Sequence, residues 1–528
     1  YRFDHTGDRF GWVEGFDGRW HYTLRIESGR VRDTDTVRLL SGLRAIDRVH
    51  RGDFRLTPNQ NVIVANVDAN ERALIDVLLD DHGLAHALHG AAMFSQASTR
   101  ILVTVVLLIT GCERGKTTDP EPTATSSSPA VAASSTPIPV ETPKKPLNVI
   151  LLVVDAMRYD MPWEGYDRAI APNLTQLHAK SIAYERGYAI SSFTSKSVGG
   201  LLTGRYPSSL ARTSPFFTSY KDENEFMAEL LQKRGIRTLG VQAHMYLKSV
   251  AGFHQGFDVW KMVPGIQWDY NKDPYITAPD HTKLINEIHT ERENTSGQFF
   301  AYYHYMDPHD VYNTHSIAPD FGKKGRDRYD QEIWFTDHHI QAMLDYVNTQ
   351  PWGKHTVVIV TGDHGEAFGE HNFWKHAFEL YEVLIRVPLF IYVPGLEGRK
   401  ISRWRSHIDL VPTILDMMGI PIPKDLPGVS LWPEIQGKET PARPIIADLP
   451  ADTYNVRKRV FIDENGYKLS VAGADRVFEM YNIKDDPHES KNLIEVEKER
   501  AAAMMERYRN ISKEIPFQEA VGGPVNKF

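Results

Sequence analysis

The chain has 528 residues, is 41% hydrophobic and 24% charged, and carries a formal net charge of -8. That length leaves room for about three domains, or one large domain with accessories, and the composition excludes a disordered, collagen-like or wholly membrane-embedded chain. The acidic balance argues against nucleic acid as a partner; the single cysteine excludes an intrachain disulfide, a cysteine zinc site and a cysteine-held iron–sulfur cluster.

The chain opens on Tyr1 rather than Met, as a fragment, a processed chain or an incomplete reading frame would. Along residues 1–92, HYTLRIES (21–28) alternates like a strand and VRLLSGLRAIDRVH (37–50) has helical apolar spacing. FRLTPNQNVIVANV (54–67) reads as one or two strands, and NERALIDVLLDDHG (70–83) as a helix opened by Asn70 and stopped by Gly83. This order predicts a small ferredoxin-like α+β unit. The stretches GWVEGFDGRWHYTLRIESGRV and HRGDFRLTPNQNVIVANV resemble a repeat of the nitrite and sulfite reductase haemoproteins, up to about Leu84. The resemblance implies that Arg55, Asn59, Gln60 and Asn61 match a segment near the sirohaem. That family needs four cluster cysteines further on, and the single cysteine of this chain cannot supply them, so neither sirohaem nor iron–sulfur cluster is expected, and residues 1–92 read as an orphaned piece without reductase activity.

Residues 93–112 differ in kind. Met93 suits an initiator, Arg100 a positive n-region, and ILVTVVLLIT (101–110) an apolar core that would span only ~15 Å as a helix, against the ~30 Å of a bilayer interior. A signal peptide is expected rather than a membrane-crossing anchor. It ends in ITGC (109–112), which resembles a bacterial lipobox and implies lipidation of Cys112. The following residues, 113–146, are rich in Pro, Ser, Thr and Ala and lack aromatics, which predicts a disordered spacer. The expected location is the bacterial cell envelope, exported and lipid-anchored, periplasmic or on the outer surface, with the membrane reached through the lipid. Because an export signal does not work from inside a chain, the natural protein is expected to begin at Met93, with the upstream segment a fusion or frame artefact.

From residue 147 onward, buried runs alternate with helical patterns. NVILLVVDAMRYD (148–160), QFFAYYHYMDPHDVY (298–312), HTVVIVTGDHGEAFGEH (355–371) and VPLFIYVPG (387–395) suit strands buried on both faces, and 225–235 and 329–347 suit helices. This alternation predicts an α/β sandwich with a mostly parallel central sheet and a small C-terminal subdomain, with a boundary near 420. Sites in such sheets form at the carboxyl ends of strands, where Asp155, His304, Asp363 and His364 fall. Asp155, Asp363 and His364 could together hold one divalent cation with open positions. In SSFTSKSVGGLLTGRYPS (191–208), small residues suggest a turn into a tightly packed helix with Thr194 at its N-terminal end, where an anion is favoured. A cation would activate the Thr194 hydroxyl. The terminal stretch 495–515 reads as a surface-docked amphipathic helix.

VILLVVDAMRYD, APNLTQLHAKSIAYERGYA, TSKSVGGLLTGRYPS, HYMDPHDVY, YDQEIWFTDHHI, TGDHGEAFGEH, HAFELYEVLIRVPLFIYVPG, HIDLVPTILDMMG, PGVSLWPEIQG and YNIKDDPHESKNL occur in that order over 147–495. Together they resemble the sulfatase-like branch of the alkaline phosphatase superfamily. The resemblance implies that Asp155, Thr194, Asp363 and His364 bind the metal, that Thr194 is the nucleophile, that His309 contacts the ester or leaving group and that His376 binds the non-bridging oxygens. His304, His371 and Lys375 are weaker candidates for substrate binding. Two departures matter. The sulfatase C-x-P-S-R stretch is here Thr194-Ser195-Lys196-Ser197-Val198, which cannot yield formylglycine, and the second Asp of the sulfatase pair is Ala156. These features look more like phosphoglycerol and phosphoethanolamine transferases. The expectation is a hydrolase or transferase of phosphate, or else sulfate, esters through a covalent Thr194 intermediate and one divalent ion (Ca, Mn, Mg or Zn). A lipid headgroup and a glycan both remain open as substrate. The alternatives are a true sulfatase, an inactive lipid-anchored binding protein and, least, a sulfite reductase fragment.

Overall fold

The structure, a computed structural model, describes residues 147–521 except 216, 267–275 and 474. Within 10–84 it leaves out 16, 25, 27–30, 32, 34–37, 51, 58–60 and 83. The expectations for Met93, Arg100, Cys112, the 113–146 spacer, Asn59, Gln60 and Gly83 lie outside the described residues. The chain divides into two compact units, Tyr1–Ala133 and Ser134–Phe528.

In the first unit, β1 (Gly11–Glu14), β2 (Trp20–Leu24), β3 (Asp53–Leu56) and β4 (Val62–Val67) form an antiparallel sheet in the order β1-β2-β4-β3. The stretch 54–67 is thus two paired strands. Helices α1 (Leu39–Val49) and α2 (Ala69–Asp81) bury Ile46, Ile75 and Leu79 with Tyr22, Leu24, Val62, Val64 and Val67. This is the ferredoxin-like α+β unit expected. Asn70 is not its helix cap. Helix α2 starts one residue earlier, and the Asp68 carbonyl accepts the amides of Glu71 and Arg72. Arg55 is exposed on the edge strand β3 and pairs with Asp53 at 3.0 Å, while Asn61 is buried and accepts the Ile26 amide at 2.9 Å.

The second unit is built on an eight-stranded sheet. In chain order its strands are β5 (Asn148–Val154), β6 (Ile182–Tyr188), β7 (Arg237–Gln242), β8 (Val259–Met262), β9 (Phe299–Tyr305), β10 (Thr356–Gly362), β13 (Arg386–Tyr392) and β14 (Arg399–Ser406), in the order β14-β6-β13-β10-β5-β9-β7-β8. A small hairpin of β11 (Ala367–Phe368) and β12 (Trp374–Lys375) lies between β10 and β13 in sequence. Only β13 runs antiparallel in the large sheet. Its apolar run, 387–393, signalled burial but not direction.

Strand β5 shows why the run is continuous. Val149, Leu151 and Val153 enter one core; Ile150, Leu152 and Val154 enter the other. Because a strand's side chains alternate between faces, a sheet covered on both sides needs an apolar residue at every position. On one face lie α4 (Thr194–Thr203), α5 (Met227–Gln232) and α8 (Leu410–Met417). On the other lie α3 (Pro172–Ala179), α6 (Ala278–Thr290) and the long α7 (Gly325–Thr349). Strands β15 (Ile445–Leu449), β16 (Lys458–Ile462), β17 (Tyr467–Ala472) and β18 (Val477–Asn482) make a separate antiparallel sheet. The terminal helix α9 (Lys498–Glu514) buries Ala501, Met504 and Tyr508 with Phe461, Leu469, Val471 and Met480. The helix is therefore docked by one apolar face, as its pattern predicted.

Burial also fixes protonation. His289 on α6 stacks on Trp352 at 4.8 Å and bonds the Tyr303 hydroxyl, and burial alone pulls its imidazole down to about 4. An unfolded imidazole titrates near ~6.5, so the unfolded chain takes up a proton that the folded chain refuses. The stability this neutral ring confers is present above that value and is lost as pH falls towards 4. His289→Phe should therefore shrink the difference in unfolding free energy between pH 7 and pH 5 by on the order of 1–2 kcal/mol, read by urea denaturation. An unchanged difference would contradict this assignment.

Candidate functional site

The site lies where β5, β9 and β10 end. Asp155 directly follows β5, and Asp363 and His364 directly follow β10. These two strands are parallel neighbours in register, with Gly362 opposite Val154, so both turns open on the same sheet edge. Past Asp155 the chain reverses through Ala156, whose φ of 55° is left-handed. A side-chain-bearing residue pays about 1–2 kcal/mol for that conformation. The turn is held because the Ala156 carbonyl accepts the Tyr329 hydroxyl at 2.8 Å, and its amide donates to Asp363 Oδ1 at 3.2 Å. The His364 amide donates to the same oxygen at 2.9 Å.

Asp363 Oδ1 is thereby satisfied, and Oδ2 is left bare. Both oxygens of Asp155, Asp363 Oδ2 and both ring nitrogens of His304 are buried without a hydrogen-bond partner. Asp155, His304 and Asp363 offer ligand atoms that all lie within 4.8 Å of one another. His364 Nε2 stands 3.6 Å from Asp155 Oδ1 and 3.6 Å from Asp363 Oδ2. His304 Nε2 is 3.6 Å from Asp363 Oδ2 and 3.9 Å from Asp155 Oδ2. Asp155, His304 and Asp363 could together hold one divalent cation, and His364 Nε2 lies beside both carboxylates. Two bare carboxylates side by side cannot both stay ionised in a dry site. Burial and the neighbouring Asp363 push Asp155 well above the usual carboxylate range. Burial also opposes the Asp363 charge, but His364, His304 and the Ala156 amide hold it below that range.

Thr194 opens α4, whose ten residues are all buried. Gly199 lies where any Cβ would overlap the Tyr220 ring at 2.3 Å, so the small residues of TSKSVGG set how closely the helix can pack. Thr194 Oγ1 is 3.0 Å from His364 Nε2. His364 Nδ1 lies 2.8 Å from the Gly365 carbonyl, which only an N–H can satisfy, so Nε2 carries the lone pair. Burial holds this imidazole at about 4, hence neutral. The hydroxyl therefore donates to Nε2. Ser197 Oγ donates to the Asp363 carbonyl at 2.5 Å and ties the helix to the second ligand loop.

A second group faces the first. The His376 ring lies 4.3 Å from the His364 ring, tilted by 33°, and His309 lies 5.1 Å from His376. His376 Nδ1 is 3.1 Å from Glu366 Oε1, and the Tyr312 hydroxyl donates to Glu366 Oε2 at 2.8 Å. Burial raises Glu366 to about 7 and lowers His376 and His309 to about 4. His309 Nδ1 donates to the Asp310 carbonyl at 2.6 Å, leaving Nε2 as its working nitrogen.

The structure thus brings Asp155, Thr194, Asp363, His364, His304, His309 and His376 together. His304 is central rather than peripheral. Lys375 instead pairs with Asp310 at 2.7 Å, which leaves the position beside His364 to His376. His371 stacks on Tyr381 at 3.9 Å and faces Glu489, apart from this cluster. Lys196 is buried against Asp452 and the Phe193 ring. Two residues escaped the sequence reading. Glu366 lay inside TGDHGEAFGEH without an assigned role. His244, two residues past β7, ends a strand whose run RTLGVQ is too polar to stand out, yet its position matches that of the other strand-end donors.

The Sulfatase family profile matches residues 147–420, and the profile named N-sulphoglucosamine sulphohydrolase, C-terminal, matches 369–514. The Nitrite/Sulfite reductase ferredoxin-like half domain matches 14–80. Among curated proteins, the sulfite reductase [NADPH] hemoprotein beta-component of Anoxybacillus flavithermus is 53% identical over 93 residues, 18% of this chain and 16% of that protein. That of Geobacillus kaustophilus is 56% identical over 84 residues, 16% of this chain and 15% of its own. The chain therefore spans about a sixth of the length of these relatives. Among solved structures, a sulfatase-like protein from Bacteroides thetaiotaomicron aligns with a TM-score of 0.59 at 15% identity, covering 72% of this chain and 99% of that one. A phosphonate monoester hydrolase of Agrobacterium radiobacter aligns at 0.56 and 18%, covering 70% and 95%. These likenesses establish the fold. The strand-end donors lie within the span that the Sulfatase profile covers, more than half of the chain, and the chain belongs to the sulfatase family.

Proposed function

We propose that the second unit is a cation-dependent ester hydrolase or transferase that uses Thr194 as a covalent nucleophile on phosphate esters. One observation carries this reading: the Thr194 hydroxyl sits 3.0 Å from His364 Nε2, at the rim of a buried donor set in which Asp155, Asp363 Oδ2 and His304 have no hydrogen-bond partner among the described residues. Asp155, Asp363, His304 and His364 would hold the ion. When bound, a divalent cation there would stabilise the Thr194 alkoxide and polarise the ester's oxygens. The two imidazoles in the set favour a borderline metal such as Mn²⁺ or Zn²⁺ over Ca²⁺.

The residues themselves supply the rest. The Thr194 hydroxyl gives up its proton to water and Oγ1 attacks phosphorus in line; a new P–O bond forms and the ester P–O bond breaks. His376, with Nδ1 fixed on Glu366, presents Nε2 towards the phosphoryl oxygens. The Glu366 carboxylate supports its protonated form once the ester's negative charge is present. His309 presents Nε2 to the leaving oxygen; once the bound ester's negative charge has drawn a proton onto that nitrogen from water, it passes that proton to the leaving oxygen. Water or an acceptor alcohol then attacks phosphorus and frees Thr194. A threonine cannot become the aldehyde that sulfatases with C-x-P-S-R employ, which is why phosphate is preferred. The family match itself keeps sulfate esters as the second reading. The intact donor set disfavours a purely binding role.

The same proposal includes export and attachment through Cys112, supported by ITGC and the Pro/Ser/Thr-rich 113–146. Among the described residues, no helix is long and apolar enough to cross a membrane.

Thr194→Ala should lower turnover of an aryl phosphate by at least ~10³-fold while the thermal melt is preserved. Activity within tenfold of wild type would contradict the nucleophile. In a panel of aryl phosphate monoesters, phosphodiesters and sulfates with Mn²⁺ or Zn²⁺, phosphate turnover should dominate; dominant sulfate turnover would overturn the substrate class. His376→Ala should cost ~10²–10³-fold in kcat, whereas Lys375→Ala, whose ammonium is held by Asp310, should stay within about threefold. The reverse order would exchange their roles.

A further inference from the structure

The two oxygens of Asp155 face different partners. Oδ1 faces His364 Nε2 at 3.6 Å. Oδ2 faces His244 Nε2 at 3.6 Å and His304 Nε2 at 3.9 Å. Neither oxygen has a hydrogen-bond partner among the described residues, and His244 Nε2 has none either.

The two histidines near Oδ2 differ in kind. Both nitrogens of His304 are bare, so either can carry a lone pair to a cation. His244 is committed. Its Nδ1 accepts the Tyr246 amide at 3.2 Å, in the short turn Met245–Leu247 that follows β7. A neutral imidazole whose Nδ1 accepts must carry its proton on Nε2. His244 Nε2 is then an N–H donor and cannot ligate an ion. The ring is also held in place, by Tyr246 at 4.2 Å and by the edge of His309 at 5.1 Å. The atom thus presented to Asp155 Oδ2 is a buried, unsatisfied donor facing a buried, unsatisfied acceptor. A movement of under about 1 Å would bring them to a hydrogen bond of ~2.8 Å.

We propose that His244 is a positioning residue for the cation centre: its Nε2–H holds Oδ2 of Asp155 and so presents Oδ1 to the ion beside Thr194 and His364. The inference rests on the cation reading above and adds a residue to it. Outer partners that orient a ligating carboxylate are worth roughly 10–100-fold in metal affinity. The residue acts through Asp155 and touches neither ion nor ester.

The test is calorimetric titration of Mn²⁺ into the EDTA-stripped full chain. His244→Gln keeps an N–H near the Nε2 position and should bind within about threefold of wild type. His244→Phe removes it and should bind ~10–100-fold more weakly. His244→Asn is polar but too short to reach Oδ2 and should bind as weakly as the Phe variant, which covers the case in which Phe is not accommodated. Equal affinity across wild type, Asn and Phe overturns the inference. Unchanged Mn²⁺ affinity with a fall in kcat/KM on an aryl phosphate also overturns it, by placing His244 on the ester. If the wild-type chain binds neither Mn²⁺ nor Zn²⁺, the cation reading falls first and this inference with it.

Discussion

Two carboxylates are buried side by side, paired with no Lys or Arg among the described residues, and the chemistry of the second unit follows from that. Asp155 and Asp363 offer ligand oxygens within 4.8 Å of each other at the carboxyl ends of β5 and β10. Two full charges at that separation repel by about 3 kcal/mol even at an effective dielectric constant of ~20, before any desolvation cost. The fold tolerates the arrangement by leaving one carboxyl protonated or by admitting a cation. Only the second option satisfies Asp155, Asp363 Oδ2 and His304 together, and it places the charge next to Thr194 Oγ1.

The scaffold leaves few other places for polar chemistry. Strands β5 and β10 fill the two cores with Val149–Val154 and Val357–Val360, so an ionisable group can sit only towards the strand ends. The left-handed Ala156 and the paired amides on Asp363 Oδ1 then aim the remaining oxygens inward. Helix α4 brings Thr194 to the same edge because Gly199 lets it pack directly on Tyr220. Each of these is a backbone or packing constraint, and together they preorganise a site that needs little rearrangement to bind an ion.

Much of this was legible in the sequence, for a physical reason. A strand buried on both faces writes itself as an unbroken apolar run, and a parallel sheet aligns the ends of such runs, so Asp155, Asp363, His364 and His304 could be grouped without a structure. Thr194 was legible as the start of a helix rich in small residues. What failed to show depends on lateral order. His244 follows a strand with Arg237, Thr238 and Gln242 in it, and it reaches Asp155 only because β7 lies beside β9. Lys375 and His376 are adjacent in sequence and differ in role through turn geometry, with positive φ at Lys375 and Ala377. His371 looked equivalent to its neighbours but is drawn to Tyr381 and Glu489. The antiparallel course of β13 left no mark on its composition. In the first unit, periodicity located both helices, but the cap of α2 moved from Asn70 to Asp68.

The most direct measurement of the central claim is anomalous diffraction from crystals of the protein grown with Mn²⁺. The account predicts a single strong peak within bonding distance of Asp155, Asp363, His364 and Thr194 Oγ1, with His304 completing the set. A peak elsewhere, or one whose ligands exclude the Thr194 hydroxyl and both carboxylates, would contradict it.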